Sequence, residues 1–113
     1  MRHSNIEEIP KEEVKAYGSK GTTIQWWIKP DKAEHFMLRR FEIAPGGEIG
    51  NHAHPEEHQI YILKGPILLI DKEGKEILVQ SDEFVYVDPN EMHGYKNPNT
   101  YPVSFICGIP KLG

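Results

Sequence analysis

Short runs of β-branched and aromatic residues, separated by glycine, proline and asparagine, dominate the chain from residue 22 onward. Runs of this length and composition are typical of β-strands. They predict strands at 22–28, 35–43, 52–54, 58–63, 67–71, 75–80, 84–87, 93–96 and 103–109. Such closely spaced short strands, with no long amphipathic helix, indicate an all-β sandwich or closed barrel.

Turn residues mark the ends of these strands. Ala44-Pro-Gly-Gly47 predicts a turn, and Asp71-Lys-Glu-Gly74 predicts a hairpin. Residues 1–20 are charged and irregular, and Pro10 predicts a short helical turn over 11–16. A chain of 113 residues suits one domain. We therefore expect a single domain, 1–113, with its core at about 36–109 and an N-terminal arm at 1–35.

The strand at 35–43 alternates between two faces. Met37, Arg39, Phe41 and Ile43 form the more apolar face, which should point inward because alternate residues share a face. An inward Arg39 requires an anion partner, a role in lining a pocket, or a register different from the predicted one.

Composition and charge limit the classes of partner that the protein could bind. The net charge is −4 and no Lys/Arg-rich run is present, which argues against nucleic acid and anionic membranes. No apolar run approaches the roughly 20 residues of a membrane span. The first residues lack an apolar signal-peptide region. The only cysteine, Cys107, has no intrachain disulfide partner. We therefore expect a cytoplasmic protein.

Histidines supply the candidate chemistry. His52 and His54 are two residues apart and would share a strand face, His58 follows after a bend at Pro55, and His93 comes from a distant strand. Neutral imidazole is a common metal ligand. The four histidines are therefore candidate ligands of one divalent metal ion. The alternative interpretation of the first pair is surface histidines in a loop.

The spacing of these histidines resembles two motifs of the cupin family. The first motif is matched at Gly46, His52, His54, His58 and Gly65, with His58 in the place of the usual glutamate. The second is matched in part, at Pro89, His93 and Asn97. The chain also resembles small single-domain manganese cupins of thermophiles that carry four histidine ligands. That resemblance implies a double-stranded β-helix, the jelly-roll cupin barrel, and a homodimer.

The resemblance also implies residue roles. Arg39, Phe105 and Cys107 would line the pocket, and Arg39 and Cys107 are the candidate catalytic residues. Glu56 stands where such relatives often carry tryptophan, so it would make the pocket mouth more polar. Manganese is the metal that the resemblance favours, while iron, nickel, copper and zinc remain open because imidazole suits several of them.

Three functional hypotheses follow. Four nitrogen ligands on an octahedral ion leave two positions for a small molecule, and the uncompensated charge favours an anionic one. The resemblance implies a metal-dependent oxidoreductase with dioxygenase-like activity on a small organic substrate. The alternatives are a non-catalytic protein that binds or senses a small ligand, and a non-redox isomerase or decarboxylase.

Overall fold

Nine strands form one curled antiparallel sheet in the computed structural model, which describes residues 1–112. The strands are β1 Glu12–Glu13, β2 Lys20–Ile28, β3 Phe36–His52, β4 His58–Lys64, β5 Ile67–Ile70, β6 Glu76–Val79, β7 Phe84–Val87, β8 His93–Lys96 and β9 Val103–Pro110. Two short 3-10 turns lie at Ile6–Glu8 and Ala16–Gly18. The all-β prediction is confirmed.

The sheet has the order β6-β5-β8-β3-β9-β4-β7, with β2 also paired to β3 and β1 paired to β2. Every pair is antiparallel, and the predicted hairpin appears as the pairing of β5 with β6. Strands distant in sequence lie side by side, as expected of a jelly roll. This topology brings the start of β8 next to the end of β3.

β3 differs from the sequence prediction. The turn expected at Ala44–Gly47 and the separate strand expected at 52–54 are both wrong, because β3 runs unbroken from Phe36 to His52. Its first half pairs with β2 and β9, and its second half pairs with β8. Gly46, at φ +75°, takes a conformation that L-residues rarely adopt. The turn residues therefore change the direction of a strand rather than reverse the chain.

The predicted helical turn at 11–16 is also wrong. Glu12 and Glu13 pair with Ile24 and Thr23 of β2, and 3-10 turns lie on either side of them. The strand predicted at 22–28 begins two residues earlier, at Lys20, and lies along β3. Pairing with β2 supplies backbone hydrogen bonds that a single isolated turn cannot.

The predicted faces of the strand at 35–43 are confirmed. Met37, Phe41 and Ile43 are buried, and Arg39 lies on the same side. A shifted register is therefore excluded as the reason for an inward arginine. The fully buried side chains at the centre of the core are Phe105, Ile43, Ile62, Ile67, Val103, Thr22 and Cys107. Within residues 1–112, no helix is long and apolar enough to cross a membrane.

Candidate metal centre

The sheet gathers all four candidate ligands at one end of the barrel. His52 ends β3, His54 lies in the next loop, His58 begins β4 and His93 begins β8. His52 and His93 are direct partners in the β3–β8 ladder. The ring centroids are 4.3 Å apart for His52–His93 and for His54–His58, and 5.1 Å apart for His58–His93. Residues from three strands and a loop thus form one cluster.

Backbone carbonyls orient three of the rings. The Nδ1 atoms of His52, His54 and His93 lie 2.7, 2.8 and 2.7 Å from the carbonyl oxygens of Gly50, Glu56 and Glu91. A carbonyl oxygen only accepts, so each Nδ1 must donate. In a neutral ring this leaves the lone pair on Nε2. This is the arrangement of a metal-binding histidine whose other nitrogen is held by a hydrogen bond.

The Nε2 atoms have room for an ion. His93 Nε2 is buried and has no hydrogen-bond partner among residues 1–112. Each of His52, His54 and His93 offers one ligand atom within 4.8 Å of the others. An orphaned buried acceptor of this kind costs free energy unless something binds it. The three side chains therefore fit a transition metal with imidazole preference.

His58 is placed differently from the other three. Its Nε2 lies 3.4 Å from Arg39 Nη2, and its Nδ1 lies 3.4 Å from the Tyr95 hydroxyl. Its ring nevertheless lies against His54 and His93. The structure brings His58 to the cluster, and its role as the fourth ligand stays a prediction.

Burial keeps the imidazoles of His52, His58 and His93 neutral. Desolvation, and secondarily the Arg39 charge, lower the pKa of His58 from 6.5 to about 2. Desolvation also lowers the pKa of His93 from 6.5 to about 4, and it lowers the pKa of His52. Neutral imidazole is the form that binds metal ions. His52, His58 and His93 are therefore in their metal-binding form at neutral pH.

A cavity of about 460 Å³ opens beside the histidines. Arg39, Glu56 and Phe105 line it, as do Phe41 and Tyr95. The Glu56 carbonyl holds His54, while its carboxylate lies 3.4 Å from the same Nδ1 atom. The walls are thus largely apolar and aromatic, with a few charged groups at defined places.

Arg39 is the cation nearest the histidines. Its Cζ lies 4.9 Å from the centroid of Phe41 and 5.4 Å from that of Trp26. Its Nη2 donates to Cys107 Sγ at 3.1 Å, and its buried Nε has no hydrogen-bond partner in the described part of the chain. No carboxylate of residues 1–112 forms an ion pair with it. The Arg39 guanidinium thus contacts a thiol and aromatic rings, and no carboxylate of the described residues balances its charge.

Cys107 lies behind Arg39 rather than on the cavity wall. It is fully buried, and desolvation raises the pKa of its thiol despite the opposing effect of Arg39. A protonated thiol is a weak nucleophile.

Two further aromatic residues, Tyr17 and Tyr95, lie beside the histidines. Tyr17 stacks on His52, but it lies in a charged and irregular segment without periodicity. Tyr95 is two residues from His93 in β8, so the two side chains share a face; it is buried, and its hydroxyl lies 3.4 Å from His58 Nδ1.

Comparisons with known proteins agree with this architecture. A protein-family model described as "Cupin domain" matches residues 39–109. The chain is 28% identical over 96 residues to an oxalate-binding protein of Thermotoga maritima, covering 81% of this chain and 78% of that protein. It is also 28% identical over 77 residues to the tetracenomycin polyketide synthase protein TcmJ of Streptomyces glaucescens. That match covers 67% of this chain and 51%, about half, of TcmJ.

A solved structure gives a close match over nearly the whole chain. The polyketide cyclase RemF of Streptomyces resistomycificus superposes with a TM-score of 0.91 and 30% sequence identity. The superposition covers 99% of this chain and 80% of RemF.

Proposed function

Because the chain belongs to the cupin family, we propose that it is a metal-dependent cupin that acts on a small organic anion. One observation carries this proposal. Backbone carbonyls hold the Nδ1 atoms of His52, His54 and His93, so that three Nε2 atoms are left to bind one ion. We propose His58, whose ring adjoins theirs, as the fourth ligand.

The candidate ligands are all imidazole nitrogens, which carry no negative charge. A divalent transition ion held there would supply Lewis-acid chemistry and, if it is redox-active, electron transfer. We propose one ion per chain, with manganese first because of the family resemblance. Iron, nickel, copper and zinc also suit imidazole.

Arg39 and the aromatic walls favour a particular class of ligand. The guanidinium would bind a carboxylate or enolate, for which its planar donors are well suited. Phe41 and Phe105 would contact an apolar or planar body and exclude water. A cavity of about 460 Å³ has room for a ligand larger than a two-carbon diacid. Glu56 would repel a second negative charge near the mouth.

Two reaction types are compatible with these residues. The first is dioxygenase-like oxidation, which the family resemblance implies and which the apolar and aromatic part of the cavity wall supports. The second is a non-redox conversion of an enolisable molecule, such as a cyclisation, an isomerisation or a decarboxylation. The similarity to RemF and TcmJ, whose names refer to polyketide chemistry, favours this second type. In either case Arg39 would orient the anion, and Cys107 would hold Arg39 in place.

An oxygen-dependence experiment separates these functions. Metal-free protein is loaded with Mn²⁺, Fe²⁺ or Zn²⁺ and incubated with aromatic carboxylates and 1,3-dicarbonyl compounds, with and without oxygen. Oxygen uptake by the manganese or iron form, lost in His93→Ala, is the result that the oxidoreductase predicts. Product formation by the zinc form in the absence of oxygen would instead indicate a non-redox enzyme. Thermal stabilisation by a ligand with no product under any condition would indicate a binding or sensing protein.

We also propose a homodimer. The outer sheet face of β3, β9, β4 and β7 carries apolar side chains, with Phe36 and Phe84 71% and 82% exposed, and with Leu38 and Ile106 between them. An apolar face of this kind favours association, and two copies of one face can pair about a two-fold axis. We expect the wild type to sediment at twice the monomer mass and Phe84→Asp to sediment at the monomer mass. A monomeric wild type would contradict the dimer.

A further inference from the structure

The segment Glu13–Tyr17, here called the strap, lines the cavity beside the histidines. The Tyr17 ring stacks on the His52 imidazole, with centroids 4.1 Å apart and planes 5° from parallel. Tyr17 is nevertheless 56% exposed, so its ring has one face on the histidine and much of its surface in solvent. Core packing therefore does not explain where this ring lies.

The backbone of the strap is held in an unusual conformation. Tyr17 and Gly18 have φ of +60° and +69°, a region that is unfavourable for a residue with a side chain. Ser19 fixes the turn, because its amide and hydroxyl both donate to the Ala16 carbonyl at 3.0 and 2.6 Å. Such strain persists where the surrounding structure holds the residue firmly, and it is concentrated at functional sites.

Gly50 joins the strap to His52. A Cβ on Gly50 would overlap the carbonyl oxygen of Tyr17, so the close approach of the strap requires glycine here. The carbonyl of the same Gly50 accepts the hydrogen bond from His52 Nδ1. The imidazole is thus fixed at its edge by one hydrogen bond and on its face by the tyrosine ring.

We infer that Tyr17 is a positioning residue for His52, whose imidazole plane it holds so that Nε2 faces the other histidines. This inference rests on the proposed metal centre. Stacked aromatic pairs stabilise a structure beyond the area that they bury. Partners that orient a metal ligand typically change metal affinity by roughly 10–100-fold. The expected effect of removing the ring is a metal dissociation constant about tenfold higher.

The test compares variants of the full chain in a Co²⁺ and Zn²⁺ titration. Tyr17→Ala and Tyr17→Leu remove the ring, whereas Tyr17→Phe keeps it, and Tyr61→Ala removes an exposed tyrosine of the outer face as a control. Tyr17→Ala and Tyr17→Leu should weaken metal binding about tenfold and alter the visible spectrum of the cobalt form. Tyr17→Phe should restore both within about twofold, and Tyr61→Ala should leave both unchanged.

Three results would overturn the inference. Tyr17→Ala could bind as tightly as wild type with the same spectrum, Tyr17→Phe could bind as weakly as Tyr17→Ala, or Tyr61→Ala could show the same loss. If Tyr17→Ala fails to fold, the comparison of Tyr17→Phe with Tyr17→Leu decides the question. A wild type that binds no divalent ion would instead overturn the metal centre itself.

Discussion

Replacing Asn97 by alanine should destabilise the protein strongly, although the residue touches no histidine. Asn97 follows β8, the strand that carries His93, and it is only 5% exposed. Its amide nitrogen donates to the carbonyls of Ile43 and Tyr101 at 2.9 and 2.8 Å. Its amide oxygen accepts from the backbone and the side chain of Asn99 at 2.8 and 3.0 Å. One side chain thus joins β8 to β3 and to the turn that leads into β9.

The size of the effect follows from these four bonds. Each contributes about 0.5–1.5 kcal/mol net, and groups left unpaired in a buried place add to the loss. We expect Asn97→Ala to lower the free energy of unfolding by about 3 kcal/mol. For a chain of this length, that corresponds to a decrease in Tm of about 12 °C. Urea and thermal denaturation, followed by circular dichroism on metal-free protein, measure both quantities.

Asn51→Ala is the matched control, because Asn51 is exposed. It should change the free energy of unfolding by less than about 0.5 kcal/mol. A loss below about 1 kcal/mol in Asn97→Ala, or an equal loss in both variants, would refute the assignment of Asn97 as the buried junction of these strands.

Three further predictions concern the core, the ligand and pH. Ile62→Ala removes a fully buried side chain and should lower the free energy of unfolding by about 3 kcal/mol in urea denaturation. Ile77 is 44% exposed, so Ile77→Ala should lower it far less. Equal losses in the two variants would contradict the core assignment. Arg39→Gln should weaken binding of a carboxylate ligand about tenfold in calorimetry, and an unchanged affinity would exclude Arg39 as the anion site. The pKa of His93 is lowered from 6.5 to about 4, so the unfolded chain binds a proton that the folded one does not. The metal-free protein should therefore lose stability as pH falls from 6.5 toward 4, less so in His93→Gln; a stability that rises over this range would contradict the prediction.

Much of the fold could be predicted because strand length, alternation and turn residues are local properties. The alternation over 35–43 correctly placed Met37, Phe41 and Ile43 inward. The continuity of β3 could not be predicted from local sequence. Residues 44–47 favour a turn, but β8 and β2 supply partners for the chain beyond it, and those partners are distant in sequence. Pairing of this kind overrides local preference.

The candidate metal ligands could be predicted from the sequence, whereas the groups that surround and orient them could be predicted less well. Spacing grouped His52, His54 and His58, and a motif added His93. The carbonyls that orient the rings could not be seen, because a backbone acceptor carries no side-chain signal. Tyr17 was missed for a related reason, since its position depends on the close approach of Gly50 and not on any periodic pattern.

The central claim is that four histidines hold one metal ion, and anomalous X-ray diffraction tests it most directly. Protein purified without added metal is crystallised, its metal is identified by elemental analysis, and data are collected at the absorption edge of that metal. The account predicts one anomalous peak per chain, about 2.0–2.3 Å from Nε2 of His52, His54, His58 and His93. No peak at this position, or a peak that His58 does not reach, would contradict it.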